Sequence, residues 1–186
     1  KTNLNDGSFL GIRRNPGILS TDKFSNINFD TVYSGTLKRT VSTSKLFNSR
    51  KYIKTDLINE IDYGDAEGLT FNDLKKTFPN IVKEWNKKKD PKFPNGENYN
   101  DVINRLNLFL EKNIYNSNDK NICVVTHNVV IRVLLGMIYN IEKNLFHLFK
   151  PEHLEFISFR VYRNIIIPDL TNDQRIKFRD QYIKWN

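Results

Sequence analysis

The sequence predicts an α/β fold in which helices cover both faces of a mostly parallel central sheet, giving three layers, α/β/α. Short β-rich runs alternate along the chain with segments of helical period, which is the pattern of strand–helix–strand units. Residues 121–126 are mostly apolar, as expected for a short strand that is covered on both faces. The length of 186 residues fits one domain, residues 1–186, with a sizeable core.

The individual elements follow from the spacing of apolar residues. The predicted strands are residues 29–34, 52–55, 121–126 and 156–162. The predicted helices are residues 36–47, 70–85, 99–115, 128–139 and 171–185, the second of them interrupted at Pro79. The third helix carries an apolar stripe formed by Val102, Leu106, Phe109 and Leu110. Residues 86–98 contain lysines, prolines and a glycine, so we interpret them as a surface excursion within the domain, followed much later by a C-terminal helix in residues 171–186.

Composition narrows the partners that the protein can have. No apolar run is long enough to span a membrane, so we expect no membrane partner. The formal net charge of +8 favours anionic partners, among them phosphorylated small molecules. Binding of nucleic acid would need basic residues gathered on one face with aromatic residues between them, and the basic run at residues 87–92 is short and contains a proline. We therefore expect no nucleic-acid partner.

The single cysteine and the first residues bear on the compartment. Cys123 lies in an apolar run and cannot form an internal disulfide, so we interpret it as a core thiol. Residues 1–7 are polar and contain no signal-peptide core, and we expect a cytoplasmic protein. The sequence leaves a homodimer open, because residues 171–186 could either pack on the domain or mediate a dimer.

Two predicted strands end in residues that suit an anion, at the edge of the sheet where ligands bind in such folds. His127 follows a strand and opens a helix, whose backbone N–H groups attract negative charge. Its alternative is a histidine that only caps the helix. Arg39 follows the strand at residues 29–34 and offers a planar fork of donors that matches phosphate. Its alternative is an ordinary surface arginine.

Glu60 has the apolar neighbours Ile58 and Ile61, which would raise its pKa and make it a general acid. Its alternative is an exposed loop glutamate. Three further carboxylates lie close by in the sequence, namely Asp62, Asp65 and Glu67. No histidine or cysteine joins them and their spacing matches no metal-binding loop, so we predict no metal site.

Four segments resemble motifs of the histidine phosphatase superfamily, which has a phosphoglycerate mutase-like fold, and they stand in the family's order. They are residues 33–43 (YSGTLKRTVST), 58–70 (INEIDYGDAEGLT), 96–105 (GENYNDVINR) and 124–128 (VVTHN). Each motif is weak alone, but four in order are specific. The chain departs from the family at Gly35, where a serine is usual, at Asn128, where a glycine is common, and at residues 21–28, where the family has a full helix.

The family's signature is an Arg-His-Gly triplet at the end of its first strand, followed by x-Thr-x-x-Asn. Residues 1–5 fit the second part, with Thr2 and Asn5 in the matching places. We therefore expect the triplet and its strand immediately before Lys1. The resemblance implies that this expected histidine attacks phosphorus and forms a phosphohistidine, with no metal or cofactor.

The resemblance also assigns roles to residues of this chain. The implied catalytic residues are Glu60, His127 and Arg39, and the implied phosphate-binding residues are Thr2, Asn5, Arg39 and Asn128. Arg39 and His127 would hold the phosphoryl oxygens, and Glu60 would protonate the leaving oxygen. The implied function is a metal-independent phosphatase acting on phosphate monoesters of small metabolites. A phosphoglycerate mutase-type phosphotransferase and a non-catalytic phosphate-binding or scaffold domain on the same fold are the alternatives.

Overall fold

The structure of the chain, a computed structural model, describes Phe9, Gly11 and residues 28–180. Thr2 and Asn5 lie outside these residues, as do residues 181–186 of the predicted C-terminal helix. The assignment of a single domain to residues 1–186 therefore stays a prediction. Within the described ranges, no helix is both long enough and apolar enough to cross a membrane.

The three described strands of the main sheet are all parallel, which confirms the α/β prediction. They are β1 (Asn28–Ser34), β2 (Asn48–Lys54) and β3 (Ile122–Val125), in the order β2–β1–β3. Ser34 at the end of β1 stands beside Val125 at the end of β3. The segments that follow these two strands, including Gly35 and His127, therefore leave the sheet side by side.

Six α-helices lie in the described part of the chain. They are α1 (Lys38–Ser44), α2 (Phe71–Thr77), α3 (Pro79–Asn86), α4 (Tyr99–Leu110), α5 (Asn128–Ile138) and α6 (Asn172–Arg175). A separate antiparallel hairpin consists of β4 (Ser158–Tyr162) and β5 (Ile165–Asp169). Pro79 begins α3, where a missing N–H costs nothing, and this explains the interruption predicted there.

Helix α4 shows how the sequence specifies a helix and its buried face. The side chain of Asn98 accepts from the backbone of Asp101, and Asp101 returns a bond to the backbone of Asn98, which forms a capping box. The predicted apolar stripe is buried along its whole length, through Val102, Leu106, Phe109 and Leu110. After Leu110 the chain continues in a wider, π-type turn over Glu111–Tyr115.

Side chains on the two faces of β1 belong to different apolar clusters. Tyr33 packs in the large cluster with residues of α4 and α5. Val32, its neighbour on the opposite face, packs with Phe47 and Cys123 on the side of α1. Helical segments thus lie on both faces of the sheet, as the three-layer prediction requires.

Element ends differ from the predicted ones where pairing and capping decide them. Strand β2 begins at Asn48 rather than at residue 52, because polar residues also pair along β1. Helix α6 ends at Arg175 and continues as a π-type turn over Ile176–Asp180. In the excursion of residues 86–98, Phe93 is buried against the rings of Trp85 and Tyr63, so this segment is anchored to the domain.

Candidate active site

The site lies at the carboxyl ends of β1 and β3. The backbone N–H of Gly35 donates to the carbonyl of Val125 at 3.2 Å, so the two strand ends are joined. His127 occupies the N-cap position of α5, and Arg39 lies in the first turn of α1. Both side chains are buried, which excludes the surface arginine as an interpretation of Arg39.

Arg39 and His127 are in direct contact. Nε of Arg39 donates to Nδ1 of His127 at 3.2 Å, so Nδ1 acts as an acceptor and the ring proton of neutral His127 belongs on Nε2. Burial, followed by the charges of Arg39 and Arg105, lowers the pKa of His127 to about 3. His127 is therefore neutral at physiological pH and presents Nε2–H as a donor.

The Nε2 atom of His127 is buried and has no hydrogen-bond partner among the residues that the structure describes. A buried donor without a partner costs free energy, so Nε2 needs a partner that the described residues do not supply. An anionic oxygen is a suitable partner, because it accepts strongly from N–H. This atom is the most specific sign of a binding site in the structure.

Arg39 is tied to a second segment by its guanidinium. Nη2 donates to the carbonyl of Gly11 at 3.2 Å, and the N–H of Gly11 donates to a carboxylate oxygen of Glu67 at 2.9 Å. Burial lowers the pKa of Arg39, and the negative charges of Glu60 and Glu67 oppose that change. An arginine has so high a pKa that it stays charged here.

Glu60 is also buried, which excludes the exposed loop glutamate. Its Oε1 accepts from the backbone N–H groups of Ile61 at 3.1 Å and Val129 at 3.2 Å. Burial raises the pKa of Glu60 to about 7, and these hydrogen bonds and the charge of Arg39 limit the rise. A carboxyl group that is half protonated near neutral pH can donate and then accept a proton within one reaction.

Gly35 leaves space in front of His127. A Cβ atom at this position would stand 2.8 Å from Oδ1 of Asn59 and 3.3 Å from Nε2 of His127. Asn59 is itself fixed, because its Oδ1 accepts from the N–H of Thr36 at 2.7 Å. A side chain at position 35 would therefore crowd Asn59 and approach Nε2 of His127.

The structure brings Arg39, His127 and Glu60 close together, and their catalytic roles stay predictions, as do the roles of the other predicted residues. The side chain of Asn128 is exposed and donates to the carbonyl of Pro151 at 3.4 Å. Thr2 and Asn5 lie outside the described residues. Across Phe9, Gly11 and residues 28–180, no group of three or more His, Cys, Asp or Glu side chains is arranged to hold a metal ion.

Sequence reasoning missed the residues that support the site through distant contacts. Asn59 borders the space at Gly35, and Glu67 holds the Gly11 backbone that Arg39 contacts. Asn59 stands directly before Glu60 in a matched motif, which was the one available signal for it. Nothing in the sequence indicated that Glu67 reaches back to Gly11, which lies far away along the chain.

A buried arginine, a buried histidine whose Nε2 has no partner among the described residues, and a carboxyl group of raised pKa lie together at the carboxyl edge of a parallel α/β sheet, and this arrangement suits an anion. A family model of the histidine phosphatase superfamily (branch 1) matches residues 19–174, and the chain belongs to this superfamily. The resemblance of its motifs is thereby confirmed.

Individual relatives differ in how much of their length they share with this chain. The 6-phosphofructo-2-kinase 1 of Saccharomyces cerevisiae is 33% identical over 119 residues, which are 61% of this chain and 14% of that protein. The fructose-2,6-bisphosphatase of the same yeast is 29% identical over 61% of this chain and 24% of its own length. Phosphoserine phosphatase 1 of Hydrogenobacter thermophilus is 27% identical over 155 residues, 80% of this chain and 74% of that protein. The chain therefore spans only a small part of the two yeast proteins.

Solved structures confirm the fold. The α-ribazole phosphatase of Shigella flexneri matches with a TM-score of 0.73 at 18% identity, over 90% of this chain and 89% of that one. A phosphoserine phosphatase of Entamoeba histolytica, solved in complex with 3-phosphoglyceric acid, matches with a TM-score of 0.63 at 22% identity, over 77% and 73%. At these identities the likeness establishes the shared phosphoglycerate mutase-like architecture.

Proposed function

We propose that this chain is the phosphatase domain of an enzyme that hydrolyses phosphate monoesters of small metabolites through a phosphohistidine intermediate. The observation that carries the proposal is the unsatisfied Nε2 of His127, which lies beside the buried guanidinium of Arg39. These two groups can hold the oxygens of a phosphoryl group, whose charge increases in the transition state. Glu60, with a pKa of about 7, supplies the proton.

In the first step the histidine expected before Lys1 attacks phosphorus, and a P–N bond forms as the P–O bond to the leaving group breaks. Glu60 gives its proton to the leaving oxygen, so that an alcohol departs. In the second step a water molecule attacks phosphorus, a P–O bond forms as the P–N bond to the histidine breaks, and Glu60 takes a proton from that water. Inorganic phosphate leaves, and Glu60 and the histidine regain their starting states.

Two further observations bear on the kind of reaction and its setting. Phosphoserine phosphatase 1 of Hydrogenobacter thermophilus matches this chain over most of its own length, and its name favours hydrolysis over transfer between hydroxyl groups.

Cys123 is buried, and burial raises the pKa of its thiol to about 12. An unreactive core thiol suits the reducing cytoplasm, which we propose as the compartment.

The test is a turnover assay on the full-length chain, by which we mean the chain with the residues expected before Lys1. A panel of phosphate monoesters serves as substrates, and release of inorganic phosphate is measured. We expect an acid-labile phosphoenzyme after rapid quenching, because phosphohistidine is hydrolysed in acid. We also expect a strong chelator to leave the rate unchanged, since fixed positive groups serve the phosphoryl oxygens. Phosphate binding without turnover or phosphoenzyme would instead indicate a non-catalytic phosphate-binding domain.

A further inference from the structure

Glu60 is carried by a segment with no regular structure of its own. Residues 59–63 join a 3-10 turn at Asp56–Ile58 to another at Gly64–Ala66. A group that transfers protons must be held within a fraction of an ångström of its productive position. Contacts from outside the segment must therefore fix it.

Glu97 and Arg105 form a two-pronged ion pair next to this segment. Nε of Arg105 donates to Oε1 of Glu97 at 2.9 Å, and Nη2 donates to Oε2 at 3.2 Å. The side chain of Arg105 is 13% exposed and that of Glu97 is 23% exposed, so water screens the pair only in part. An arginine–carboxylate pair of this form is well defined in direction as well as strong.

The same pair holds the segment on both sides of Glu60. Arg105 uses its remaining Nη1 to donate to the carbonyl of Leu57 at 2.9 Å. Oε2 of Glu97 accepts from the N–H of Asp62 at 2.9 Å, and the N–H of Glu97 donates to the carbonyl of Asp62 at 2.7 Å. Leu57 precedes Glu60 and Asp62 follows it, so one ion pair sets both approaches to the carboxyl group.

We infer that the Glu97–Arg105 ion pair is the positioning device of Glu60 in proton transfer, although neither residue is in the Arg39–His127 contact. This inference rests on the proposed function. Glu60, Glu97 and Arg105 all line one cavity of about 220 Å³, so the pair lies near the carboxyl group that it positions. Both members are positioning residues, because their hydrogen bonds fix the segment of Glu60, and the charge of Arg105 also contributes to lowering the pKa of His127.

The charge of Arg105 adds an electrostatic effect to the geometric one. Burial raises the pKa of Glu60, and the positive charges of Arg39 and Arg105 act against that rise. Tyr63 and Tyr99 also face Glu60, and the negative charge of Glu60 contributes to raising their pKa values. Loss of Arg105 would therefore displace the carboxyl group and make it harder to ionise.

Arg105→Met tests the inference in the full-length chain under single-turnover conditions, with an alkyl phosphate and an aryl phosphate as substrates. An alkoxide needs a proton in order to leave, whereas a phenolate of low pKa does not. We expect enzyme phosphorylation by the alkyl ester to slow about tenfold or more, while the aryl ester reacts nearly as in the wild type. Glu84→Gln is the matched control, because it removes two surface ion pairs, one with Lys87 and one with Lys89.

Two conservative variants keep the test decisive if Arg105→Met fails to fold. Arg105→Lys keeps the charge but loses the two-pronged contact, and Glu97→Gln keeps the shape but loses the charge. A purely structural pair would slow both substrates equally or lower only the melting temperature. Equal slowing of both esters, or no slowing, in all foldable variants overturns the inference.

A second measurement separates this inference from the proposed function. The protonated carboxyl group of Glu60 has an infrared C=O band, assigned by its loss in Glu60→Gln, that can be titrated without any turnover. We expect its midpoint to move to higher pH in Arg105→Met and to stay in place in Glu84→Gln. If the wild type forms no phosphoenzyme, the proposed function fails and this titration alone decides, an unmoved midpoint overturning the positioning role.

Discussion

Arg39 sets the chemical state of His127 as well as its place. The guanidinium donates to Nδ1, and this hydrogen bond directs the ring proton to Nε2, the atom that lacks a partner among the described residues. Its positive charge also helps to keep the ring neutral. The two residues therefore work as one unit, in which a fixed cation stands beside an oriented neutral donor.

Replacement of either residue by alanine should remove a donor to the phosphoryl oxygens. We expect His127→Ala and Arg39→Ala each to lower kcat by on the order of 10²-fold in the full-length chain, as loss of one such donor does in other enzymes. Because the two residues act as a unit, the double variant should lose less than the product of the single losses. Steady-state kinetics with an aryl phosphate provide the measurement.

His147→Ala is the matched control for His127. His147 is exposed, and its ring Nδ1 is hydrogen-bonded to the backbone carbonyl of Asn144 on the surface. Arg160→Ala serves likewise for Arg39, because Arg160 is an exposed residue paired with Asp169. Neither control should change kcat. Unchanged rates in both His127→Ala and Arg39→Ala would show that the site has been assigned to the wrong residues.

The sequence could predict Arg39, His127 and Glu60 because each stands in a motif at the end of an element. It could not predict the contacts that make them useful. The contact between Arg39 and His127 joins residues 88 positions apart, and the Gly11–Glu67 contact spans 56. Such pairs depend on how strands and loops are placed in space, and local periodicity contains no information about that placement.

At the scale of elements, α5 depends on a glycine for its packing. Gly136 is buried within the helix, and a Cβ atom there would stand 2.1 Å from Cε1 of Phe146. Phe146 is only 2% exposed and packs against the ring of Tyr99, so it has little room to move. Phe146 belongs to a 3-10 turn over Lys143–Leu148. Helix α5 and this turn therefore approach one another closely only because residue 136 has no side chain.

Gly136→Ala should destabilise the protein, although alanine is the better helix former by about 1 kcal/mol. Overpacking costs about 1–3 kcal/mol, so after the gain in helix propensity we expect a net loss of up to about 2 kcal/mol in the free energy of unfolding. Urea denaturation followed by circular dichroism measures this loss. Asn104→Ala on the exposed face of α4 is the control, and it should not lower stability. A gain in stability for Gly136→Ala would mean that the contact with Phe146 adapts.

Elements were predictable where their pattern is local. The apolar run of β3 and the stripe of α4 identified both elements, and Pro79 marked a helix boundary. The start of β2 was not predictable, since its first residues are polar and pair because β1 lies alongside. The hydrogen bond that Gln174 of α6 donates to the carbonyl of Phe156 at 2.6 Å was likewise not predictable, because it joins distant parts of the chain.

At the scale of the whole molecule, the basic residues behind the net charge of +8 lie in different surroundings. Within the described part of the chain, β2 is one of the two outer strands of the sheet, with β1 as its neighbour. It exposes Arg50, Lys51 and Lys54, and charged side chains on an outer strand oppose pairing with another sheet. Part of the positive charge therefore lies where it opposes pairing of this strand with another sheet, while Arg39 is buried beside His127.

Two buried groups of the site give the stability of the whole molecule an unusual dependence on pH. Glu60 has a pKa of about 7 in the folded chain against 4.5 when unfolded, so the folded state binds the extra proton between these values. Its contribution to stability is complete below pH 4.5 and is lost as pH rises to about 7. His127 has a pKa of about 3 against 6.5, so its contribution is complete above pH 6.5 and is lost as pH falls to about 3.

Between pH 4.5 and 6.5 the two slopes have opposite signs, so the wild type alone should show neither of them. The difference between wild type and variant isolates each one, because the other carboxylates contribute equally to both proteins. We expect the stability of the wild type relative to Glu60→Gln to fall by about 1.4 kcal/mol per pH unit across this window, and its stability relative to His127→Gln to rise by about as much. Urea titrations at several pH values measure both differences. Two flat differences would show that neither group is buried in an unusual state of protonation, and the assignment of Glu60 as proton donor would fall with them.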